Sequence, residues 1–206
     1  MPTLKGSQTE KNLLIAFAGE SQARNRYTFF ASKAKSEGYE AIAKIFLETA
    51  DQEKEHAERL FKFLEGGEVE ITAAYPAGKI GTTLDNLKAA AFGEHEENTE
   101  MYPKFAQIAA TEGFDSIAEI LKHIGYAERY HESRYRALIE AIEQGTLFKQ
   151  DKIVMWRCTN CGNWHIGKEA PTVCSACLHP QGYFISEGIA NRCDTNEGFC
   201  EYTSID

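Results

Sequence analysis

The sequence contains the motif Glu-x-x-His twice, from Glu53 to His56 and from Glu128 to His131. In an α-helix, side chains three residues apart lie on one face, so each motif presents a carboxylate and an imidazole together. Carboxylate oxygens combined with imidazole nitrogens suit iron or manganese better than a structural zinc site. The two motifs therefore predict metal ligands on each of two helices.

Both motifs belong to an internal repeat. The segment NLLIAFAGESQ, which starts at Asn12, resembles NLKAAAFGEHE, which starts 74 residues later at Asn86. The segment SEGYEAIAKIF, which starts at Ser36, resembles TEGFDSIAEIL, which starts 75 residues later at Thr111. A repeat of this length indicates two copies of one supersecondary unit.

Each copy is predicted to be a helical hairpin, with a tight Glu-Gly break at residues 37–38 and 112–113. Ser7-x-x-Glu10 predicts a capping box at the start of the first helix. The copies are joined by about twenty residues, GGEVEITAAYPAGKIGTTLD, which are enough to cross the length of a bundle. Two hairpins and one long crossover predict a mainly α fold, the ferritin-like four-helix bundle.

Acidic residues interrupt the apolar seam of every predicted helix. The seams follow steps of three and four residues, and Glu53 and His56 continue theirs whereas Glu55 does not. The predicted inward-facing set, which we take as metal ligands and catalytic residues, is Glu20, Glu53, His56, Glu94, Glu97, Glu128 and His131.

Burying one carboxylate costs several kcal/mol, and the seams hold no Lys or Arg at this level. Two divalent or trivalent cations would balance the five carboxylates. The alternative is that the glutamates are protonated or reach the surface, but repetition of the pattern argues against coincidence.

The repeat is imperfect at Glu97, whose counterpart in the first copy is Ala23. The site thus has one carboxylate more than a symmetric six-ligand set, which would let one metal change partners. Tyr27 and Tyr102 follow Glu20 and Glu94 by one or two turns and could donate hydrogen bonds to ligating carboxylates. Ordinary aromatic packing is the alternative for both tyrosines.

All six cysteines lie after residue 157, where the composition changes to Gly, Cys and Asn. Four of them form two Cys-x-x-Cys pairs separated by twelve residues: Cys158, Cys161, Cys174 and Cys177. This spacing predicts a tetrahedral site for zinc or a single iron, and spacing alone favours a stabilising zinc ribbon. Aromatic side chains could cover the site, namely Trp156, Trp164, Tyr183 and Phe184.

His165 and His179 are expected to be surface residues, since four thiolates complete the metal shell. Cys193 and Cys200 lie in a polar terminal extension, where they could form a disulfide or stay free. No role is assigned to them.

The 206 residues carry a net charge of −9, which argues against nucleic acid as the main partner. No apolar run is long enough to span a membrane, and the first residues lack the pattern of a signal peptide. We therefore expect a cytoplasmic protein without a membrane partner.

Five stretches together resemble the rubrerythrin family from about residue 4 to 189: LKGSQTEKNLLIAFAGESQARNRYTFFASKAKSEG, ETADQEKEHAERLFKFLEGGEVEI, GEHEENTEMYPKFAQIAATEG, AERYHESRY and the cysteine-rich tail. The resemblance implies a ferritin-like di-iron domain at 1–146, a linker at 147–155, a small β-rich rubredoxin-like domain at 156–190, and an extension of unknown role at 191–206. It also implies Fe(Cys)4 in the tail, with zinc or manganese as substitutes.

By the same resemblance, Glu53 and Glu128 would bridge the two irons. Glu20 would hold one iron, which would exchange between Glu97 when oxidised and His56 when reduced. Glu94 and His131 would hold the other iron.

The implied activity is reduction of hydrogen peroxide to water, with electrons from rubredoxin or an NAD(P)H-dependent reductase. The family is commonly dimeric, with the tail centre of one subunit near its partner's di-iron site, so we expect a homodimer or a higher homo-oligomer. The sequence departs from the family at Ser175, where Pro is usual, and this puts the tuning of the tail iron in doubt.

Three other functions were considered. Iron oxidation and storage would not need a four-cysteine electron inlet, and an oxygen-activating oxidase or oxygenase would not be favoured by the extra ligand Glu97. The third is a bundle with a zinc-loaded tail that only scavenges metal.

Overall fold

The computed structural model describes residues 2–190, and four helical arms make up most of it. The first two arms are α1 (Gln8–Ser36) and α2 (Glu40–Phe61). The third arm consists of α3 (Thr83–Glu96), a π-helical segment (Glu97–Met101) and α4 (Tyr102–Thr111). The fourth arm is α5 (Asp115–Glu143). Helix α1 packs mainly on α2, and α3 and α4 pack on α5, so the predicted pair of hairpins and the ferritin-like fold class are confirmed.

The start of α1 differs in one detail from the predicted capping box. The Ser7 side chain accepts the Glu10 N–H at 3.0 Å, as predicted. The Glu10 carboxylate, however, accepts the N–H of Gly6 at 2.7 Å, because the Ser7 N–H is bonded to the Leu4 carbonyl. Helix α3 has the complete box, formed by Thr82 and Asp85.

The glutamates of the two Glu-Gly breaks connect the hairpins to each other. At 2.8 and 2.6 Å, the Glu37 carboxylate accepts the N–H and hydroxyl of Thr83, at the start of α3. The Glu112 carboxylate accepts the corresponding groups of Thr9, at the start of α1, at 2.8 and 2.5 Å. Each break thus caps the first helix of the opposite copy, and the Thr83 hydrogen bonds lower the pKa of Glu37 to about 2.

The crossover, residues 62–82, contains no helix or strand. Tyr75 fixes it to α1 by donating its hydroxyl to the Ile15 carbonyl at 2.7 Å. The Tyr75 ring lies against Gly19, where a Cβ would stand 3.6 Å from the ring edge. The crossover therefore runs along the bundle next to Glu20.

After the bundle, a three-stranded antiparallel sheet has the order β2-β1-β3. Its strands are β1 (Lys149–Cys158), β2 (Trp164–Glu169) and β3 (Phe184–Ser186), followed by the short helix α6 (Glu187–Ala190). Trp156 and Phe184 are buried in its core. The prediction that Trp164 covers the metal site is wrong, because β2 is an edge strand and Trp164 is 61% exposed.

The sheet domain packs on the corner between α1 and α2. Lys44 of α2 donates to the Thr159 carbonyl, and Tyr39 stacks on Phe148 with ring centroids 6.4 Å apart. Gly182 approaches the Gly38 carbonyl so closely that a Cβ on Gly182 would overlap its oxygen. Strand β1 begins at Lys149, inside the expected linker, so the predicted domain boundaries stay a prediction.

Among residues 2–190, no helix is both long and apolar enough to span a membrane. The expectations for Cys193 and Cys200 concern residues outside this range.

Candidate metal centres

Four carboxylates and one imidazole lie fully buried at one level of the bundle. The side chains of Glu20, Glu53, Glu94, Glu128 and His131 are at most 2% exposed. Each of the four arms contributes at least one of them, because each arm places a seam position at this level. The interior of the bundle is therefore strongly acidic.

These residues form two groups that could each hold a metal ion. One group contains Glu20, Glu53, His56 and Glu128, and the other contains Glu53, Glu94, Glu128 and His131. In each group, one ligand atom from every residue lies within 4.8 Å of all the others. Since Glu53 and Glu128 belong to both groups, the arrangement is that of two adjacent sites with two shared carboxylates.

The imidazoles face the shared carboxylates. His56 Nδ1 lies 3.0 Å from Glu53 Oε2 and 2.9 Å from Glu128 Oε1. His131 Nδ1 lies 2.7 Å from Glu128 Oε2 and 3.2 Å from Glu53 Oε1. Each group thus combines carboxylate oxygens with one ring nitrogen, which is the donor set expected for iron or manganese.

Orphaned polar atoms indicate that the groups fit cations. Among the described residues, His131 Nδ1 and one or both carboxylate oxygens of each of the four buried glutamates are buried without a hydrogen-bond partner. Buried polar groups nearly always have a partner. Burial raises the pKa of Glu20 well above its usual range and that of Glu94 to about 8. Metal ions would satisfy these atoms and displace the protons.

Two buried tyrosines bond to the carboxylates of the opposite copy. Tyr27 of α1 donates its hydroxyl to Glu94 Oε1 at 2.5 Å, and Tyr102 of α4 donates to Glu20 Oε1. Burial raises the pKa of both phenols well above the usual range, so both stay protonated as donors. The predicted role of Tyr27 and Tyr102 beside bound metal remains a prediction.

Gln52 is a site residue that the seam pattern missed, because it lies one position off the seam. Its Oε1 lies 3.0 Å from His131 Nε2. An amide oxygen accepts the ring N–H there, which leaves Nδ1 free to bind metal. A hydrogen bond of this kind fixes the tautomer and the orientation of a ligating histidine.

Glu97 lies outside both groups and is partly exposed. It opens the π-helical segment, in which the Tyr102 N–H reaches the Glu97 carbonyl, five residues back. A π-bulge accommodates one extra residue in a helix and often marks a functional site. The extra residue lies between Glu94 and Tyr102, since they are 74 and 75 residues after their counterparts Glu20 and Tyr27.

The four predicted cysteines also come together. The Sγ atoms of Cys158 and Cys177 are 3.8 Å apart, as are those of Cys161 and Cys174. A tetrahedral metal with bonds of about 2.3 Å has its sulfurs about 3.8 Å apart, so the geometry fits zinc or iron. The His179 backbone N–H lowers the pKa of Cys177 to about 6, which favours the thiolate.

Asn163 is a second residue that sequence reasoning missed. Its side-chain Nδ2 donates to Cys174 Sγ at 3.6 Å and to Ser175 Oγ at 3.3 Å. The residue that departs from the family pattern, Ser175, thus contacts an amide that contacts a metal-ligating sulfur. Neither His165 nor His179 belongs to the cysteine group.

Comparison with known proteins gives the family. The rubrerythrin family model matches residues 11–139, and the model of the rubrerythrin rubredoxin-like domain matches residues 156–185. A rubrerythrin of Porphyromonas gingivalis is 58% identical over 88% of this chain and 91% of its own length.

Two solved structures are also similar. Fully reduced, all-ferrous nigerythrin is 31% identical, with a TM-score of 0.57 over 90% of this chain and 92% of that one. A Desulfovibrio desulfuricans bacterioferritin, solved with its di-iron site in different catalytic states, matches with a TM-score of 0.59 over 66% of this chain and 81% of its own. At 22% identity this second match shows the fold alone. The chain belongs to the rubrerythrin family, as a di-iron protein with a rubredoxin-like domain.

Proposed function

We propose that this protein is a non-haem di-iron peroxidase that reduces hydrogen peroxide to water. The observation that carries the proposal is one chain with both a four-cysteine site and two carboxylate-histidine groups that share Glu53 and Glu128. The reaction consumes two electrons and two protons for each peroxide and yields two waters. A four-sulfur site without an open position suits a one-electron relay, and two adjacent sites suit a two-electron step.

The proposed ligands follow the two groups. Glu20, Glu53, His56 and Glu128 would hold one iron in the reduced state, and Glu97 would replace His56 on oxidation. Glu53, Glu94, Glu128 and His131 would hold the other iron. The position of His56 inside the first group and of Glu97 outside it supports this assignment of states.

When bound, the iron pair supplies both electrons to the O–O bond. The chain's own residues prepare the site for this chemistry. Tyr27 and Tyr102 keep the Glu94 and Glu20 carboxylates oriented, and Gln52 orients His131. The surrounding apolar side chains exclude water and strengthen these electrostatic interactions.

The proposed electron donor is rubredoxin or an NAD(P)H-dependent reductase, which would deliver electrons to Fe(Cys)4. The exposed position of Cys161 gives a partner access to the cysteine site. We also propose a homodimer or higher homo-oligomer and a cytoplasmic location. The domain limits proposed from the sequence are 1–146, 147–155, 156–190 and 191–206.

The test compares two oxidants. The iron-loaded protein is reduced without oxygen and mixed separately with hydrogen peroxide and with oxygen, while the visible bands of both iron centres are followed. Much faster oxidation by peroxide is expected. Equal or faster oxidation by oxygen would instead favour a ferroxidase or an oxygen-reducing oxidase. Metal analysis is expected to give about three iron atoms per chain, as two sites plus one imply, and zinc in the cysteine site would remove the relay.

A further inference from the structure

A cleft of about 600 Å³ opens beside Glu97, between the crossover, α1 and the third arm. Its walls are largely apolar and include Ile15, Tyr75, Pro76, Phe92, Met101 and Phe105. Small-molecule sites usually have volumes of about 300–1,000 Å³, whereas a water molecule occupies about 30 Å³. Hydrogen peroxide is only slightly larger than water, so the cleft is far larger than that substrate needs.

One wall of the cleft is held in place. The crossover segment 72–76 forms this wall, and Tyr75 fixes it to α1 through the hydrogen bond to the Ile15 carbonyl. Because Gly19 has no side chain, the Tyr75 ring can lie directly on α1. The cleft is therefore a formed feature of the bundle surface.

Two charged side chains of opposite sign line the same cleft, Arg26 and Glu97. Arg26 extends from α1 towards α3, with Nη2 3.6 Å from the point where a Cβ on Gly93 would stand. Its Nε is buried and has no hydrogen-bond partner among residues 2–190. A guanidinium N–H only donates, so this atom requires an acceptor that the described residues do not provide.

We propose that the cleft binds organic hydroperoxides, ROOH, as a further substrate class of the peroxidase. The hydroperoxide oxygens would accept from Arg26, its O–H would donate to Glu97, and the group R would lie against Phe92 and Met101. This inference rests on the proposed peroxidase function.

The balanced step is ROOH plus two electrons and two protons, giving ROH and water. The O–O bond breaks, one oxygen remains on R as an alcohol, and the other leaves as water. The electrons come as two one-electron equivalents from the reduced iron–sulfur carrier protein of the proposed function, and the protons come from solvent.

The experiment compares cumene hydroperoxide with hydrogen peroxide on the full-length, iron-loaded protein, with reduced rubredoxin as the electron donor. Consumption of carrier is expected to match formation of 2-phenyl-2-propanol. Phe92→Ala is expected to lower kcat/KM for cumene hydroperoxide, relative to that for hydrogen peroxide, by about tenfold, as for loss of apolar contacts in a specificity pocket. Phe29→Ala is the matched control, because Phe29 is similarly exposed, at 51% against 63%, but does not line the cleft.

A second measurement does not depend on turnover. Saturation-transfer NMR of the full-length protein with 2-phenyl-2-propanol should show binding that Phe92→Ala and Arg26→Gln weaken and Phe29→Ala does not. Reduction of hydrogen peroxide without reduction of cumene hydroperoxide would overturn the inference and leave the proposed function standing. Reduction of neither would overturn both, and equal effects of Phe92→Ala and Phe29→Ala would show that the cleft is not the site.

Discussion

At the scale of single residues, Glu97 is the feature that separates the two copies of the repeat. It stands where the first copy has Ala23, and it lies outside both ligand groups while His56 lies inside one. Glu97→Ala makes the two copies alike at this position. Because six ligands remain, the metals should stay bound, but peroxide turnover should fall by about tenfold or more, the usual effect of losing a residue that tunes a metal site.

The measurement is peroxide-dependent oxidation of the reduced protein, together with iron content. Glu55→Ala serves as the control, because Glu55 adjoins the same ligands but is exposed. Unchanged turnover in Glu97→Ala would refute the exchange of ligands.

Asn163 carries the second residue-scale prediction. Hydrogen bonds to ligating sulfurs stabilise the more negative, reduced state of an iron–sulfur centre and thereby raise its reduction potential. Asn163→Ala removes the donor to Cys174. A net loss of about 1 kcal/mol corresponds to a fall of about 40 mV for a one-electron couple.

Spectroelectrochemistry of the Fe(Cys)4 band measures this potential directly. Asn160→Ala is the control, since the described contact of the Asn160 side chain is to the His179 ring and not to a sulfur. A fall of the same size in Asn160→Ala would mean that the hydrogen bond to Cys174 has no special role.

At the scale of secondary structure, the reciprocal caps make a pH-dependent contribution to stability. The folded-state pKa of Glu37 is depressed from 4.5 to about 2. A group with a depressed pKa stabilises the fold above its unfolded pKa, and this contribution is lost as the pH falls from about 4.5 to about 2. Glu37→Ala should therefore cost about 1–2 kcal/mol at pH 7, in the range of a helix cap, and almost nothing near pH 2.

Denaturant unfolding of the metal-free protein at several pH values tests this. Glu65→Ala provides the baseline, because Glu65 is exposed and lies beyond the end of α2. A loss that persists unchanged at pH 2 would show that packing, and not the Glu37 charge, links the hairpins.

The helical arms and the crossover were predictable because seam periodicity and the Glu-Gly breaks are local signals. The π-helical segment left two signals that went unread. One is the change of repeat offset from 74 to 75, and the other is Pro103, which has no N–H to continue an i to i−4 ladder. Gln52 and Asn163 left no such signal, since their roles depend on which side chains meet across the fold.

At the scale of the whole molecule, the contact between the sheet domain and the bundle could not be predicted from the sequence. It depends on two glycines that lie 144 residues apart, Gly38 at a turn and Gly182 before β3. Ile185 of β3 lies within the apolar cluster of the bundle, and Tyr39 stacks on Phe148. The two domains thus share part of their apolar core, so they should unfold together.

Gly182→Ala tests that coupling, because the added Cβ would overlap the Gly38 carbonyl oxygen and force the domains apart. Neither metal centre is touched, so the iron content should not change. We expect the visible band of Fe(Cys)4 and the far-ultraviolet helix signal to be lost in one thermal transition in the unaltered protein and in two in Gly182→Ala. Gly188→Ala, where a Cβ meets open space, should behave like the unaltered protein. If a single transition persisted in Gly182→Ala, the apolar contacts of Ile185 and Tyr39 would be sufficient to couple the domains without the close approach of the two glycines.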